Sequence, residues 1–153
     1  MMIIAILATV VIINFNFTGV NARNNLIAAN ELRSHLTYIR NMAVSQEKTL
    51  RVRFDVVSNR YDVFAAVSNW TGSYLPAKDP VIQKDWVVDL SNKFSGVTLS
   101  SVNINGNSTL YFSETNGIPL DVNRIRLATT GTVTFASGLK VTVAPDTGYA
   151  GLE

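Results

Sequence analysis

The chain has 153 residues and a formal net charge of +2, from 13 basic and 11 acidic side chains. This length allows one domain with a covered core, and so balanced a charge excludes the strong positive field with which proteins attract phosphate backbones. The chain has no cysteine, which excludes a disulfide framework and any metal site built on thiolates.

The chain begins with an apolar run, residues 1–13, that holds one hydroxyl and no charge. A helix rises about 1.5 Å per residue, so the run covers roughly 20 Å of the ~30 Å hydrocarbon core of a membrane. We interpret residues 1–17 as an apolar helical segment that lies in a membrane or in the core of a filament. Its predicted membrane or filament-core side chains are Met1, Met2, Ile3, Ile4, Ile6, Leu7, Val10, Val11, Ile12, Ile13 and Phe15.

A cleaved secretory signal peptide is the alternative interpretation of this run. Such a peptide starts with basic residues and ends at a cleavage site of small residues. This run instead starts apolar and continues through Asn14-Phe15-Asn16-Phe17 into an amphipathic pattern. The run therefore fits an anchor better than a signal peptide.

Residues 18–153 are predicted to form one head domain, which includes the amphipathic half of the helix. Apolar side chains recur there in steps of three and four, which is the spacing of a helical stripe. A narrow apolar stripe is stable only when another surface covers it, so we expect it to pack on a sheet. The predicted helix–sheet packing residues are Leu26, Ala29, Leu32, Leu36, Ile39 and Ala43.

After residue 49 the period changes from helical to alternating, which is typical of half-buried strands. Two strands, at 50–56 and 61–67, are predicted to form a hairpin across a turn at Ser58-Asn59. Turn signals such as Asn105-Gly106 separate further short strands, which are predicted at 86–90, 96–104, 109–112, 125–128, 132–135 and 139–144. The predicted fold class is α+β, with a long N-terminal helix packed on an antiparallel sheet.

A long surface loop is predicted at residues 68–85, which are rich in Ser, Asn, Gly, Pro, Lys and Asp. Long loops often make the contacts with partners. Aromatic and apolar side chains in or beside this loop form a predicted partner patch, and burial of one tryptophan that anchors the loop is the alternative. The patch residues are Trp70, Tyr74, Leu75 and Trp86.

Three stretches carry a resemblance to a known family. Residues 1–15 are similar to the apolar helix of a prepilin, and residues 32–43 (LRSHLTYIRNMA) are similar to the helix segment before the first strand. Leu110-Tyr111-Phe112-Ser113, followed by Gly117-Ile118-Pro119 and by residues 141–148 (VTVAPDTG), is similar to the C-terminal half of the head. In this order the stretches cover nearly the whole chain. The chain thus resembles the type IV pilin-like proteins, specifically the H-type minor pseudopilins of type II secretion and the related type IV minor pilins.

The resemblance implies a pilin-like fold and a structural role without an enzyme activity or a cofactor. Such subunits are held in the bacterial inner membrane by a single apolar helix, with the head in the periplasm, and they assemble with other pilin-like subunits into helical filaments. The implied function is that of a minor subunit of a type II secretion pseudopilus or a type IV pilus. It would act in filament assembly and protein secretion, with secreted proteins as cargo.

The chain departs from the family pattern at its N-terminus. The sequence lacks a basic leader and the glycine cleavage site that is followed by Phe-Thr-Leu-Ile-Glu, so leader cleavage, methylation and filament registry are not carried over. If the resemblance is aligned as above, we expect about six residues of the mature anchor to precede Met1. They would bring the span close to the ~20 residues that a membrane-crossing helix needs.

No residue pattern predicts catalysis or a metal site. His35 is the only histidine, and it lies beside two leucines of the helical stripe, so we expect a hydrogen-bonded histidine at the boundary of the core. A loop-built calcium site at Glu114, Asp121 and Asp146 is a weaker hypothesis, because their spacing matches no known calcium loop.

Two other classes of function remain open. A DNA-binding minor pilin would use arginines that alternate on strand faces, but the last ten residues contain no basic side chain, and nucleic acid is not an expected partner. A secreted β-rich binding domain with a signal anchor is the second alternative, and it predicts a monomeric head that binds sugar. The arginines that the DNA-binding alternative would use are Arg51, Arg53, Arg60, Arg124 and Arg126.

Overall fold

The computed structural model describes the backbone of residues 2–67 and 72–153 and the side chains of residues 19–67 and 72–153. It confirms the α+β class, since one long helix packs on antiparallel sheets. The elements are α1 (Met2–Ser45), β1 (Leu50–Asp55), β2 (Arg60–Ala66), β3 (Tyr74–Pro76), β4 (Val87–Asp89), α2 (Leu90–Lys93), β5 (Leu99–Asn103), β6 (Thr109–Phe112), β7 (Pro119–Leu120), β8 (Gly131–Phe135), β9 (Lys140–Val143) and β10 (Ala150–Leu152).

The strands form two sheets. The larger sheet has the order β3-β2-β1-β6-β7, and β4 pairs with the other end of β2. The smaller sheet has the order β10-β9-β8-β5. Helix α1 contacts β1 and β6 of the larger sheet and β9 and β10 of the smaller one. The helix therefore joins the two sheets into one head.

One face of α1 builds the centre of the core. The fully buried side chains of this stripe are Ala29, Leu32, Leu36, Ile39 and Ala43. Leu26 does not belong to it and is 46% exposed, which corrects its predicted packing role. Successive residues are about 100° apart around a helix, and it is the neighbouring Asn25 that faces the core. The Asn25 amide donates to the carbonyl oxygen of Asn21 (2.7 Å), which offsets part of the cost of burying it.

The larger sheet covers this stripe with one face of each strand. In β1, Leu50, Val52 and Phe54 are buried, while the alternate residues Arg51 and Arg53 lie on the other face. Full burial of a large apolar side chain contributes about 1.5–3 kcal/mol. The alternating pattern therefore determines which face of the sheet packs on the helix.

One predicted strand, at residues 125–128, is not formed. Only Arg126 makes an isolated bridge there, to β7. Asp121 is the physical reason, because its Oδ1 accepts hydrogen bonds from the backbone N–H groups of residues 123 and 125 (2.8 and 3.0 Å). These bonds hold the segment in a turn, in which Arg124 has a φ of 60°. A side chain that bonds to nearby backbone competes with strand pairing in this way.

Two loops with the same hydrogen-bond pattern, one from each sheet, meet at α1. Within them the backbone N–H of Gly117 donates to Ser113 and that of Gly148 donates to Ala144 (both 2.9 Å). The Arg40 Nε donates to the carbonyl oxygen of residue 147 (2.6 Å), and the guanidinium lies over the ring of residue 149 (4.7 Å). We call this contact between the two loops and α1 the Arg40 joint.

The apolar segment of residues 1–17 and its predicted membrane or filament-core side chains lie outside the described side chains. Trp70 lies outside the described residues. Within the part of the chain that the structure describes, no helix contains a stretch that is both long enough and apolar enough to span a bilayer.

Candidate functional site

The candidate interaction surface is a hairpin formed by residues 77–86, within the segment predicted to be a surface loop. We call it the tip hairpin. Its two stems bond to each other, since the N–H of Trp86 donates to Ala77 (2.8 Å) and the N–H of Asp79 donates to Lys84 (2.8 Å). Both stems also bond to Val63 of β2 (2.9 Å each). The tip hairpin is therefore an ordered extension of the sheet.

Side chains fix the turn at the end of the tip hairpin. The Asp79 carboxylate accepts hydrogen bonds from the N–H groups of Val81 (2.8 Å) and Ile82 (3.1 Å). Lys78 and Asp85 form an ion pair across the stems (2.6 Å). As a result, an ordered turn presents Val81 and Ile82, with 85% and 61% of their surface exposed.

Trp86 anchors the tip hairpin to α1 and is buried, so it is not part of an exposed partner patch. Its ring makes edge-on contacts with His35 (5.3 Å) and Tyr38 (5.9 Å) between ring centroids. Burying so large an aromatic surface stabilises the base of the hairpin. Its predicted place in the partner patch is wrong because Trp86 lies where the hairpin returns to the sheet, and there it faces α1.

The other described members of the predicted patch, Tyr74 and Leu75, lie on β3. Leu75 is exposed. Tyr74 is half-buried and contacts Tyr111 edge-on (5.7 Å), with the Arg51 guanidinium 4.7 Å from its ring centroid. Adjacent residues of a strand point to opposite faces, so the structure does not bring Tyr74, Leu75 and Trp86 together. A partner contact at Tyr74 and Leu75 stays a prediction.

His35 is a hydrogen-bonded boundary residue, as the sequence indicates. Its Nδ1 lies 2.6 Å from the hydroxyl oxygen of Tyr61, and its Nε2 lies 4.0 Å from a carboxylate oxygen of Glu31. That oxygen also accepts a hydrogen bond from the Lys93 ammonium (2.6 Å). Burial lowers the pKa of His35 below its usual 6.5, against the opposing effect of Glu31. The neutral imidazole is therefore the form that the fold favours.

Two grooves flank the tip hairpin where it meets α1. The first has a volume of about 520 Å³ and lies between the hairpin and Tyr38, Met42 and Gln46 of the helix. The second has a volume of about 530 Å³ and is bounded by His35 and by α2. The residues that line the second groove are His35, Asp79, Val81, Ile82, Val87, Val88, Asp89, Asn92 and Lys93. Exposed apolar side chains and carboxylates thus share this groove.

Several of the arginines that a nucleic-acid site would require contact other side chains of the larger sheet. Asp62 is buried and pairs with Arg53 (2.6 Å), and a second oxygen lies 3.6 Å from Arg60. The Arg51 guanidinium lies over the Phe64 ring, 4.2 Å from its centroid. Three of the five arginines therefore contact side chains of the larger sheet.

The three carboxylates of the calcium hypothesis are not brought together. Asp121 caps its own turn, Asp146 pairs with Arg126, and Glu114 accepts a hydrogen bond from Thr49. Within the described residues, no group of three or more His, Cys, Asp or Glu side chains is placed to hold a metal ion.

The sequence prediction missed the ordered tip hairpin. One signal for it was present, because Asp79-Pro80 is a turn-forming pair. The alternation that marks a strand is absent from its short stems, so the segment was predicted to be a loop.

The sequence matches one family over residues 28–148, and that family is described as type II transport protein GspH. The matched range runs from the stripe of α1 to the loop after β9. A comparison with curated proteins finds no match.

Solved structures with the same fold include the minor pseudopilin EpsH from the type 2 secretion system of Vibrio cholerae. The two chains are 14% identical over 84% of this chain and 94% of EpsH, with a TM-score of 0.61. The type IV minor pilin FimU of Pseudomonas aeruginosa is 20% identical over 86% of this chain and 90% of FimU, with a TM-score of 0.55. A second crystal form of FimU gives 18% identity, coverage of 84% and 91%, and a TM-score of 0.53. At such identities the similarity establishes the fold.

Proposed function

Because this chain belongs to the GspH family of type II transport proteins, we propose that it is a minor pilin-like subunit of a type II secretion pseudopilus or a type IV pilus. In this proposal the subunit acts in filament assembly and protein secretion. The family match over residues 28–148 is the observation that carries the proposal. The fold similarity to EpsH and FimU is consistent with it.

The proposed anchor is the apolar segment of residues 1–17, and the proposed head is residues 18–153. An apolar helix satisfies its own backbone in lipid, and in a filament it exchanges lipid for neighbouring helices at little hydrophobic cost. We place the subunit in the bacterial inner membrane before assembly, with its head in the periplasm. Its proposed partners are other pilin-like subunits, and its proposed cargo is a secreted protein.

The buried stripe of α1 gives the proposal a mechanical basis. Residues 29–43 of the same helix that begins at Met2 provide five fully buried side chains to the head. A head that is packed on the helix in this way moves with it as one body. Insertion of the helix into a filament would therefore fix the position of the head.

The proposal is tested by placing charge in the anchor of the full chain. In a host strain that lacks the gene, we expect a chain with Ile6→Asp and Val10→Asp to leave the membrane fraction and to restore neither secretion nor filaments. One aspartate at the centre of a membrane helix costs about 2.5–3.5 kcal/mol. The control is Val57→Asp, at a side chain that is 97% exposed in the β1–β2 turn.

The two variants have opposite expected outcomes. Val57→Asp should restore secretion and filaments to the level of the unchanged chain. If the double aspartate variant restored them equally well, residues 1–17 would have no role as an anchor and the proposed function would be wrong.

A further inference from the structure

Strand β10 forms one edge of the smaller sheet and, within the described part of the chain, pairs only with β9. The backbones of Lys140 in β9 and Glu153 exchange two hydrogen bonds (2.7 and 2.8 Å). In an antiparallel pair, such bonded residues alternate with residues whose N–H and C=O groups point away from the partner strand. Residues 150 and 152 occupy the alternate positions. Their N–H and C=O groups therefore point to the free edge of the sheet.

The edge of β10 lacks the features that protect the other edges of the two sheets within the described residues. Edge strands are commonly protected by proline, by charged side chains or by bulges. β3 contains Pro76, β7 begins with Pro119, and β4 ends at Asp89. β5 has a bulge between residues 99 and 101. Residues 150–152 include neither proline nor a charged side chain, and their register is regular. This edge is therefore open to pairing.

The free edge of β10 borders a groove on the solvent-exposed side of α1. The groove has a volume of about 480 Å³ and is lined by Ala150 and by Arg33, Ser34, Thr37, Tyr38 and Asn41 of the helix. The side chains of Ala150 and Leu152 pack against the core, so the strand presents mainly its backbone to this side. Because the lining is mostly polar, backbone hydrogen bonds and not apolar burial would hold an occupant here.

We propose that an extended segment of another pilin-like subunit adds to the smaller sheet at the free edge of β10. Recognition of this kind uses the backbone donors and acceptors of an edge strand, here those of residues 150 and 152. This inference rests on the proposed function, in which α1 runs into the filament core. A segment that lies along the exposed side of α1 then belongs to a neighbouring subunit and not to cargo on the filament surface.

The anchor helices explain how so short an edge contributes to assembly. They hold neighbouring subunits together, so the segment meets β10 at a high effective concentration. The pairing therefore does not have to be strong by itself, and its expected role is to fix the orientation of the neighbouring head.

A proline at residue 152 tests this pairing. It removes the N–H that points to the free edge and places its ring there, and edge strands accept proline at such positions. The matched control is Leu152→Ala, which also loses the leucine packing but retains the N–H. In a host strain that lacks the gene, we expect Leu152→Ala to restore secretion and filaments. Leu152→Pro should restore them at least tenfold less, although the two purified chains have equal midpoints of urea unfolding.

Amide hydrogen exchange measures the same edge without a substitution. The full chain is co-purified in detergent micelles with the other pilin-like subunits of its own system, and it is compared with the full chain alone by mass spectrometry. The amides of residues 150 and 152 should exchange at least tenfold more slowly in the complex. The internal control is the amide of Val57, which lies in the exposed β1–β2 turn and should exchange equally fast in both samples.

Three results would overturn this inference. In the first, Leu152→Pro restores secretion and filaments as well as Leu152→Ala does. In the second, the amides of residues 150 and 152 exchange as fast in the complex as in the chain alone. In the third, they become slow when only copies of this chain are present, or only when a secreted protein is added, so that a different occupant covers the edge. If Leu152→Pro unfolds the head, the exchange experiment on the unchanged chain decides. None of these results contradicts the proposed function, which the double aspartate variant of the anchor tests separately.

Discussion

At the scale of single residues, His35 links the protonation state of one side chain to the stability of the head. Its imidazole contacts Tyr61 and Trp86, and burial lowers its pKa below 6.5. The unfolded chain therefore binds a proton at a higher pH than the folded chain does. The contribution of His35 to the free energy of unfolding is complete above pH 6.5 and is lost as the pH falls through 6.5 towards the lower folded pKa.

This linkage gives a prediction for the pH dependence of unfolding. We expect the urea concentration at the unfolding midpoint of the full chain to decrease when the pH is lowered from 7.5 to 5.5, because protonation of His35 favours the unfolded state. His35→Gln has no titrating group at this position, and its midpoint should change much less over the same range. His35 is the only histidine, so an equal decrease in the variant would show that another group is responsible.

The glycines of the Arg40 joint give a second prediction. Gly148 has a φ of +70°, and a Cβ added there would lie 2.5 Å from the carbonyl oxygen of Gly117, so Gly148→Ala meets both backbone strain and a backbone clash. Gly138 has a φ of +90° and open space around it, so Gly138→Ala meets the strain alone. We expect Gly138→Ala to destabilise by about 1 kcal/mol and Gly148→Ala by at least about 2–3 kcal/mol, measured by urea unfolding.

The pair of substitutions separates two causes, since both glycines have a left-handed backbone. Equal losses of stability would mean that the loops of the two sheets move apart easily at the Arg40 joint. A larger loss for Gly148→Ala would mean that their close approach is required.

At the scale of elements, the sequence correctly predicted the helix and the strands whose apolar residues repeat with a clear period. The stripe of α1 and the β1–β2 hairpin repeat their apolar residues over many positions, so the period was clear and the elements formed where expected. Short elements such as β3, β7, α2 and β10 have two to four residues. So few residues cannot show a period, and tertiary contacts determine their conformation.

Individual side chains within the elements were predicted less well. Local hydrogen bonds compete with strand pairing, and the buried face of a helix can be misassigned by one residue. Asp121 accepts hydrogen bonds from the backbone N–H groups of residues 123 and 125, and these bonds compete with the strand predicted at 125–128. Leu26 was assigned to the core because it lies three residues before Ala29, although it is the neighbouring Asn25 that is buried. Trp86 was assigned to the partner patch because it lies beside the predicted loop, with burial as the alternative, whereas the hairpin folds it against α1. The exposure of Val81 and Ile82 at the turn depends on that fold and was not predictable from local sequence.

At the scale of the whole molecule, two leucines of α1 differ in how much they contribute to the stability of the head, because one is buried and the other is exposed. Leu36 is fully buried between helix and sheets, so Leu36→Ala should lower the free energy of unfolding by about 2–5 kcal/mol. Leu26 is nearly half exposed, and Leu26→Ala should change the free energy of unfolding by only about 0.5 kcal/mol. Urea unfolding of the two variants measures this difference.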